Sequence, residues 1–270
     1  MENVLKSNKK VFGTKEWAVK NVNFISGCQH DCKYCYSKEM AIRFRRKTPD
    51  NWKKEEVRIK DLEKNYKKYK GRIMIPSSHD ITPVNLESTF IILNKLLLSG
   101  NDVLIVTKPH FECINKICER FEKFKKQILF RFSIGSNDSS VLKFWEPGAT
   151  DFQERLNCLK FAHKQGFETS VSCEPMLDYK IDDLIKIIIP FVTNSIWIGK
   201  ANFLLKRMKT NGINDKISIE KAKELHEWQS NKRNIKNLYT KYKNNPKIKW
   251  KESLKKILDI KISRINGLDI

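Results

Sequence analysis

Six times between residues 22 and 199, a short apolar run rich in β-branched residues gives way to an amphipathic helical stretch. No other feature limits the fold so tightly. The runs are "VNFIS" (22–26), "RIMIP" (72–76), "VLIVT" (103–107), "ILFRFSI" (128–134), "FETSVSC" (167–173) and "SIWIG" (195–199). Between them lie "SKEMAIRFRR", "LESTFIILNKLLLSG" stopped by Gly100, "ECINKICERFEKF", "TDFQERLNCLKFAHKQG" stopped by Gly166, and "IDDLIKIII". Strands separated by helices long enough to cross back over a sheet pair in parallel. The expectation is therefore an α/β chain with a parallel sheet and helical crossovers. Beyond residue 200 the pattern is helical and lysine-rich without clear strands. Residues 203–270 are read as a helical appendage, 1–20 as an N-terminal extension, and 21–202 as the α/β body.

In parallel α/β folds the chemistry sits at the carboxyl ends of the strands. Those ends carry residues 27–36, 77–80, 108–110, 133–138, 173–174 and 200–202, where nearly all the unusual polar residues of the centre fall. The first holds "GCQHDCKYCYS", with Cys28, Cys32 and Cys35 spaced C-x3-C-x2-C. A structural zinc site wants four ligands, usually as two pairs, and no second C-x2-C exists here. A fully ligated ferredoxin cluster wants a fourth cysteine in or just beyond the loop. Inert buried thiols rarely gather on a polar loop led by glycine. Three thiolates can hold a [4Fe–4S] cluster and leave one iron open.

This spacing, with an aromatic residue before the third cysteine, resembles the signature of the radical S-adenosylmethionine (SAM) superfamily. The resemblance implies a partial (β/α)6 barrel of the TIM type, with SAM bound at the open iron. It also implies reductive cleavage of SAM to a 5′-deoxyadenosyl radical that abstracts a substrate hydrogen, with a reductant such as flavodoxin or ferredoxin. "VTKP" (106–109), "RFSIGSND" (131–138) and "WEPGATDFQERL" (145–156) resemble the spore photoproduct lyase-like branch over roughly residues 20–200. By position, Ser78, Lys108 and Ser133 would contact SAM and Tyr34 would lie against its adenine. The branch carries a hydrogen-donating cysteine two positions before the matching serine, and here that position is Pro76. "TKEWAVKNVNFISGC", "VSCEPMLD" and "SIWIGKAN" are also similar to an uncharacterised radical SAM family common in phage genomes.

That second similarity directs attention to Cys173 and Glu174. At a strand end they would serve as hydrogen donor or radical relay and as base or amine anchor. His79 and Asp80 are candidate acid–base partners. Cys113, Cys118 and Cys158, within helical patterns, read as core.

Charge bears on the substrate. The net charge is +22, unevenly spread: 20 Lys and Arg against 9 Asp and Glu in residues 1–75, and 19 against 7 in 200–270. The centre is nearly neutral. Basic flanks around a neutral body suit a polyanion, and a nucleic acid or nucleotide is the expected substrate. Tyr239, Tyr242 and Trp250, interleaved with lysines, are candidate stacking platforms. Two competitors stay open: a radical SAM enzyme acting on a small molecule or peptide, and a non-catalytic nucleic-acid binder with a structural iron–sulfur cluster. No apolar run of about eighteen residues occurs, the candidate "LIKIIIPFV" being broken by Pro190. The start lacks an apolar signal-peptide core, so a cytoplasmic protein without membrane contact is expected.

Overall fold

Alternation along the strands sets the architecture of the computed structural model, which describes residues 10–268. In chain order the elements are β1 (Lys20–Asn21), β2 (Ile25–Ser26), α1 (Tyr36–Arg43), β3 (Glu56–Val57), α2 (Ile59–Glu63), β4 (Ile73–Ile75) and α3 (Leu86–Leu98). Then follow β5 (Val103–Thr107), α4 (Phe111–Arg120), β6 (Ile128–Ser133), α5 (Ser139–Trp145), α6 (Phe152–Lys164), β7 (Glu168–Cys173) and α7 (Ile181–Ile188). The chain closes with β8 (Ile196–Ile198), α8 (Leu204–Thr210), α9 (Lys216–Ser230), α10 (Lys232–Tyr242), β9 (Ile248–Trp250) and α11 (Glu252–Leu258). Seven strands pair in parallel in the order β1-β4-β5-β6-β7-β8-β9, while β2 and β3 form a separate antiparallel pair. This is the expected α/β partial barrel, a half-barrel sheet with helices outside it.

The two ends of the sheet differ from the sequence reading. "VNFIS" does not enter it as one strand. Ladder pairing falls on Lys20 and Asn21, continues to Val22, and then Ile25 turns away to pair with Val57. Asn23 causes the departure, its amide oxygen accepting from Ser77 N at 2.7 Å and Ser78 N at 3.0 Å. At the other end the lysine-rich tail supplies β9, with Ile248 and Trp250 opposite Ile196 and Ile198. Three residues set among lysines carry too little periodicity to be read as a strand, so pairing with β8 decides. Tyr239, Tyr242 and Trp250 are not stacking platforms. Trp250 is buried, Tyr239 packs on it edge-to-face at 5.4 Å, and both tyrosines lean on the core.

Each strand divides its residues between two faces. Ile73, Ile75, Val103, Ile105, Phe130, Phe132, Val171, Cys173, Ile196 and Ile198 join the core shared with the outer helices. Met74, Leu104, Val106, Leu129 and Trp197 join Trp17 and Ala18 on the concave face. Arg131 lies there fully buried, its guanidinium 4.8 Å from the Trp17 ring and its Nε donating to Ser170 Oγ at 2.9 Å. A half-barrel leaves two edges, β1 and β9, and segments from the two ends of the chain bridge them. Lys251, just past β9, pairs with Glu16, just before β1, at 2.6 Å and donates to Gly13 O at 2.8 Å. Val11 N donates to Ser263 O, and Gly267 N to Lys15 O. Among the described residues no helix is long and apolar enough to cross a membrane.

Candidate active site

The carboxyl ends of the main-sheet strands open into one cavity of about 480 Å³. Its wall includes Cys28, Cys32, Cys35, Tyr34, Ser78, Asp80, Lys108, Ser133 and Glu174, so nine of the ten site residues expected from sequence meet there. The exception is Cys173. In the parallel register Ser172 lies opposite Ser133 and faces the cavity with it, which turns Cys173 to the helix side among Val171, Ile198 and Met176. Burial raises its thiol pKa further. A thiol on that face cannot donate hydrogen into the cavity, so that expectation is corrected.

The cysteine loop is built by close backbone approaches. Gly27 sits at φ +97°, where a side chain is disfavoured, and an added Cβ would lie 2.3 Å from Lys54 O. Cys28 N donates to Trp52 O, and Cys35 N to Cys32 O, both at 3.0 Å. Cys35 caps α1, its Sγ accepting from Lys38 N at 3.3 Å. The segment "WEPG" supports the loop from beside it: Lys33 N donates to Trp145 O, and Gly148 N to His30 O. Asn211, at the end of α8, donates to both Lys33 O and Cys35 O. Neither the Trp145 contact nor the Asn211 clasp was read from the sequence, although the first lies inside a segment singled out there.

Burial pushes all three thiols up, and at Cys28 the Asp80 charge adds to the effect. Among the described residues, the atoms gathered tightly enough for a single ion belong instead to Cys28, His30 and Asp80, within 4.8 Å of one another. That trio is a hydrogen-bonded anchor. Asp80 Oδ1 accepts from Lys108 N at 2.7 Å and Thr107 Oγ1 at 3.1 Å, while Oδ2 meets His30 Nδ1 at 2.9 Å and Lys108 Nζ at 3.3 Å. His30 is fully buried, and its other nitrogen lies 2.8 Å from His110 Nε2. Burial alone would raise the Asp80 pKa. Lys108 and His30 overcome that and hold the carboxyl well below its usual range. With its lone pairs engaged, Asp80 orients Lys108 and the loop; it is not placed to exchange protons with His79. Burial holds the His79 ring neutral, with a pKa of about 3, and the ring packs edge-on against Phe24.

Tyr34 is fixed from its far end. Its hydroxyl donates to Glu146, which pairs with fully buried Arg155 at 2.6 Å. Arg155 also donates to Ser133 O at 3.1 Å. One network therefore sets the Tyr34 ring and the Ser133 strand end together. On the opposite wall, burial raises the Glu174 pKa and Lys251, 3.4 Å away, pulls it back.

Known proteins resemble this chain in sequence and in fold. The pattern of the family described as the Radical SAM superfamily matches residues 22–189. The uncharacterized protein MJ0683 of Methanocaldococcus jannaschii is 27% identical over 183 residues, covering 66% of this chain and 68% of that protein. The uncharacterized protein ORF301 of Acidianus two-tailed virus is 26% identical over 172 residues, covering 59% and 56%. Among solved structures, a spore photoproduct lyase variant with a dinucleoside spore photoproduct superposes with a TM-score of 0.52 at 15% identity. That likeness, covering 73% of this chain and 61% of the lyase, bears on the fold. The family match spans more than half of the chain, and the chain belongs to the radical SAM superfamily, whose enzymes use an iron–sulfur cluster and SAM.

Proposed function

We propose that Cys28, Cys32 and Cys35 hold a [4Fe–4S] cluster, that SAM lies beside it against Tyr34, Ser78, Lys108 and Ser133, and that a nucleic acid or nucleotide is the substrate. One observation carries the reading: these seven residues, from separate strand ends, line a single cavity of about 480 Å³. That volume lies within the range of cofactor pockets. The donor set suits a metal cluster, because three thiolates on one loop, two buried and one half-buried, are costly unless cationic metal offsets their charge. When bound, the cluster and SAM supply the one-electron chemistry and the hydrogen-abstracting radical.

The chain's own residues bind and orient. Lys108, aimed by Asp80, offers an ammonium to a carboxylate. Ser78 and Ser133 offer hydroxyls at two strand ends. Tyr34, tethered through Glu146, offers a ring face. Glu174 presents an acceptor or base on the far wall. The substrate reading draws on the two basic flanks and on the dinucleoside bound by the lyase neighbour. An external one-electron donor of the flavodoxin or ferredoxin kind completes the system.

Protein prepared without oxygen and given dithionite should convert SAM to 5′-deoxyadenosine and methionine. Colourless protein holding one tight zinc overturns the cluster. Lys108→Gln should weaken SAM binding about tenfold, as expected for one charge-assisted hydrogen bond, with the visible absorption of the cluster intact. Undiminished affinity in equilibrium dialysis would remove Lys108 from the SAM site.

Pro76 also lines the cavity, where the lyase-like branch has its donor cysteine. Cys113, Cys118, Cys158 and Cys173 all lie in the helix-side core. Beyond the three loop cysteines, the described residues thus offer the cavity no thiol. The enzyme should not restore two thymines from the spore photoproduct; chromatographic detection of restored thymidine would refute this.

A further inference from the structure

Five of the deeply placed cations among the described residues have carboxylate partners. Lys38 lies 2.7 Å from Asp31, Lys47 3.0 Å from Glu56, Lys108 3.3 Å from Asp80, Arg155 2.6 Å from Glu146 and Lys251 2.6 Å from Glu16. Arg207 and Lys200, which line the cavity on the side of α8, have no such partner among the described residues. Among the described residues the Arg207 guanidinium makes no hydrogen bond or salt bridge, and its Nε is buried without a partner. The nearby carboxylates that its charge feels are engaged elsewhere: Glu39 with Arg43 at 3.3 Å and Glu174 with Lys251 at 3.4 Å. The Lys200 ammonium likewise has no partner, and burial and Lys256 both disfavour its charge. Two partly desolvated cations facing a cavity without counter-ions cost free energy that a bound anion would return.

The surroundings narrow the anion. The Arg207 guanidinium lies 5.9 Å from the ring centroids of both Tyr36 and Phe203. Phe203 is 73% exposed and sits at φ +55°, a left-handed conformation that bulky residues rarely adopt. A strained backbone that presents an aromatic ring to solvent, beside an unpaired guanidinium at a cavity mouth, is the pairing that tracks a sugar–phosphate chain and stacks its bases.

We infer that Arg207 and Lys200 hold a phosphate group of the substrate at the cavity mouth, with Phe203 stacking the adjacent base. The inference rests on the nucleic-acid reading above and adds to it the residues and the group recognised. It is tested with cluster-loaded protein, by anisotropy of a labelled short single-stranded oligodeoxynucleotide across a salt series. A mononucleotide and the matching nucleoside serve as competitors, and SAM affinity is measured in parallel.

Arg207→Gln should weaken oligonucleotide binding about tenfold, as for one lost charge-assisted contact, and reduce the salt slope by about 0.7. Arg207→Lys should lose less, Phe203→Ala should weaken binding with the slope unchanged, and SAM affinity should stay at the parent value. The nucleoside should compete equally with parent and variant. An equal loss for the mononucleotide assigns the site to a free nucleotide's phosphate, and a loss confined to the oligonucleotide assigns it to an internal phosphodiester. Matching melting temperatures show that the variants fold. Should Arg207→Gln bind the oligonucleotide like the parent, with the parent's steep salt dependence, the inference falls and the nucleic-acid reading stands. Loss of SAM affinity instead would make Arg207 a clamp for the SAM carboxylate and overturn it. If the parent binds neither nucleotide nor oligonucleotide, the nucleic-acid reading and the inference fall together.

Discussion

Cys32→Ala is expected to give colourless protein that retains its fold and cleaves no SAM. The parent should hold about four irons and four sulfides per chain, and the variant close to none. Loss of one thiolate from a set of three leaves too few ligands for the cluster, so the effect is all-or-none rather than graded. The loop itself does not depend on that sulfur. The Cys32 carbonyl still accepts from Cys35 N, and Trp52 O, Trp145 O and the Asn211 amide still hold the flanking backbone. Cys158→Ala is the control, because that thiol packs in the helix-side core. It should cost some stability and keep both colour and SAM cleavage. Iron analysis and thermal melting on both variants separate ligation from folding, and full iron retention in Cys32→Ala would remove Cys32 from the cluster.

What the sequence disclosed and what it hid follow from how the sheet is built. Long β-branched runs such as "VLIVT" and "ILFRFSI" were legible because burial on both faces makes a central parallel strand read as a continuous apolar stretch. The edges were not legible. β1 has two residues and β9 three, and lysines surround β9, so local pattern was outweighed by pairing with a neighbour. The cysteine loop stood out because its spacing is local. Cys173 was misplaced because a strand buried on both faces gives little apolar–polar alternation to tell the faces apart. A signal existed all the same: Arg131 and Ser133 on β6, and Ser170 and Ser172 on β7, share one parity and mark the concave face. Cys173 has the other. Contacts across long separations left no local trace, and Glu252 N reaches Glu16 Oε1 across 236 positions.

The same long-range closure sets the largest expected effect on stability. Lys251 is fully buried between the two edges of the half-barrel, with Glu16 at 2.6 Å, Glu174 at 3.4 Å and the Trp17 ring at 4.2 Å. Lys251→Met keeps most of the volume and the contact with Trp17 but leaves two carboxyls without their cation. Breaking a buried pair from one side costs about 3–5 kcal/mol, and denaturant unfolding should show a loss of that order at alkaline pH. One ammonium cannot neutralise every carboxyl around it. Burial pushes the Glu16 pKa up, Lys251 pulls it down and the Glu252 side chain pushes it up, and together they raise it from 4.5 to about 8. A carboxyl whose folded pKa is raised binds its proton more tightly in the folded state. Its contribution is fully present below pH 4.5 and is lost as pH rises through about 8. Parent stability should therefore decline across that window, and Glu16→Gln should flatten the decline. Lys251→Met removes the group that pulls Glu16 down, so its deficit should be small near pH 5, where the carboxyl is protonated, and full near pH 9. The double variant Glu16→Gln, Lys251→Met removes the cation and the nearer of its two carboxyls, leaving Glu174, and should recover part of the loss at high pH. A deficit in Lys251→Met that is independent of pH and unrelieved by Glu16→Gln would show that the lysine acts by packing alone and that the edges are held by their backbone contacts.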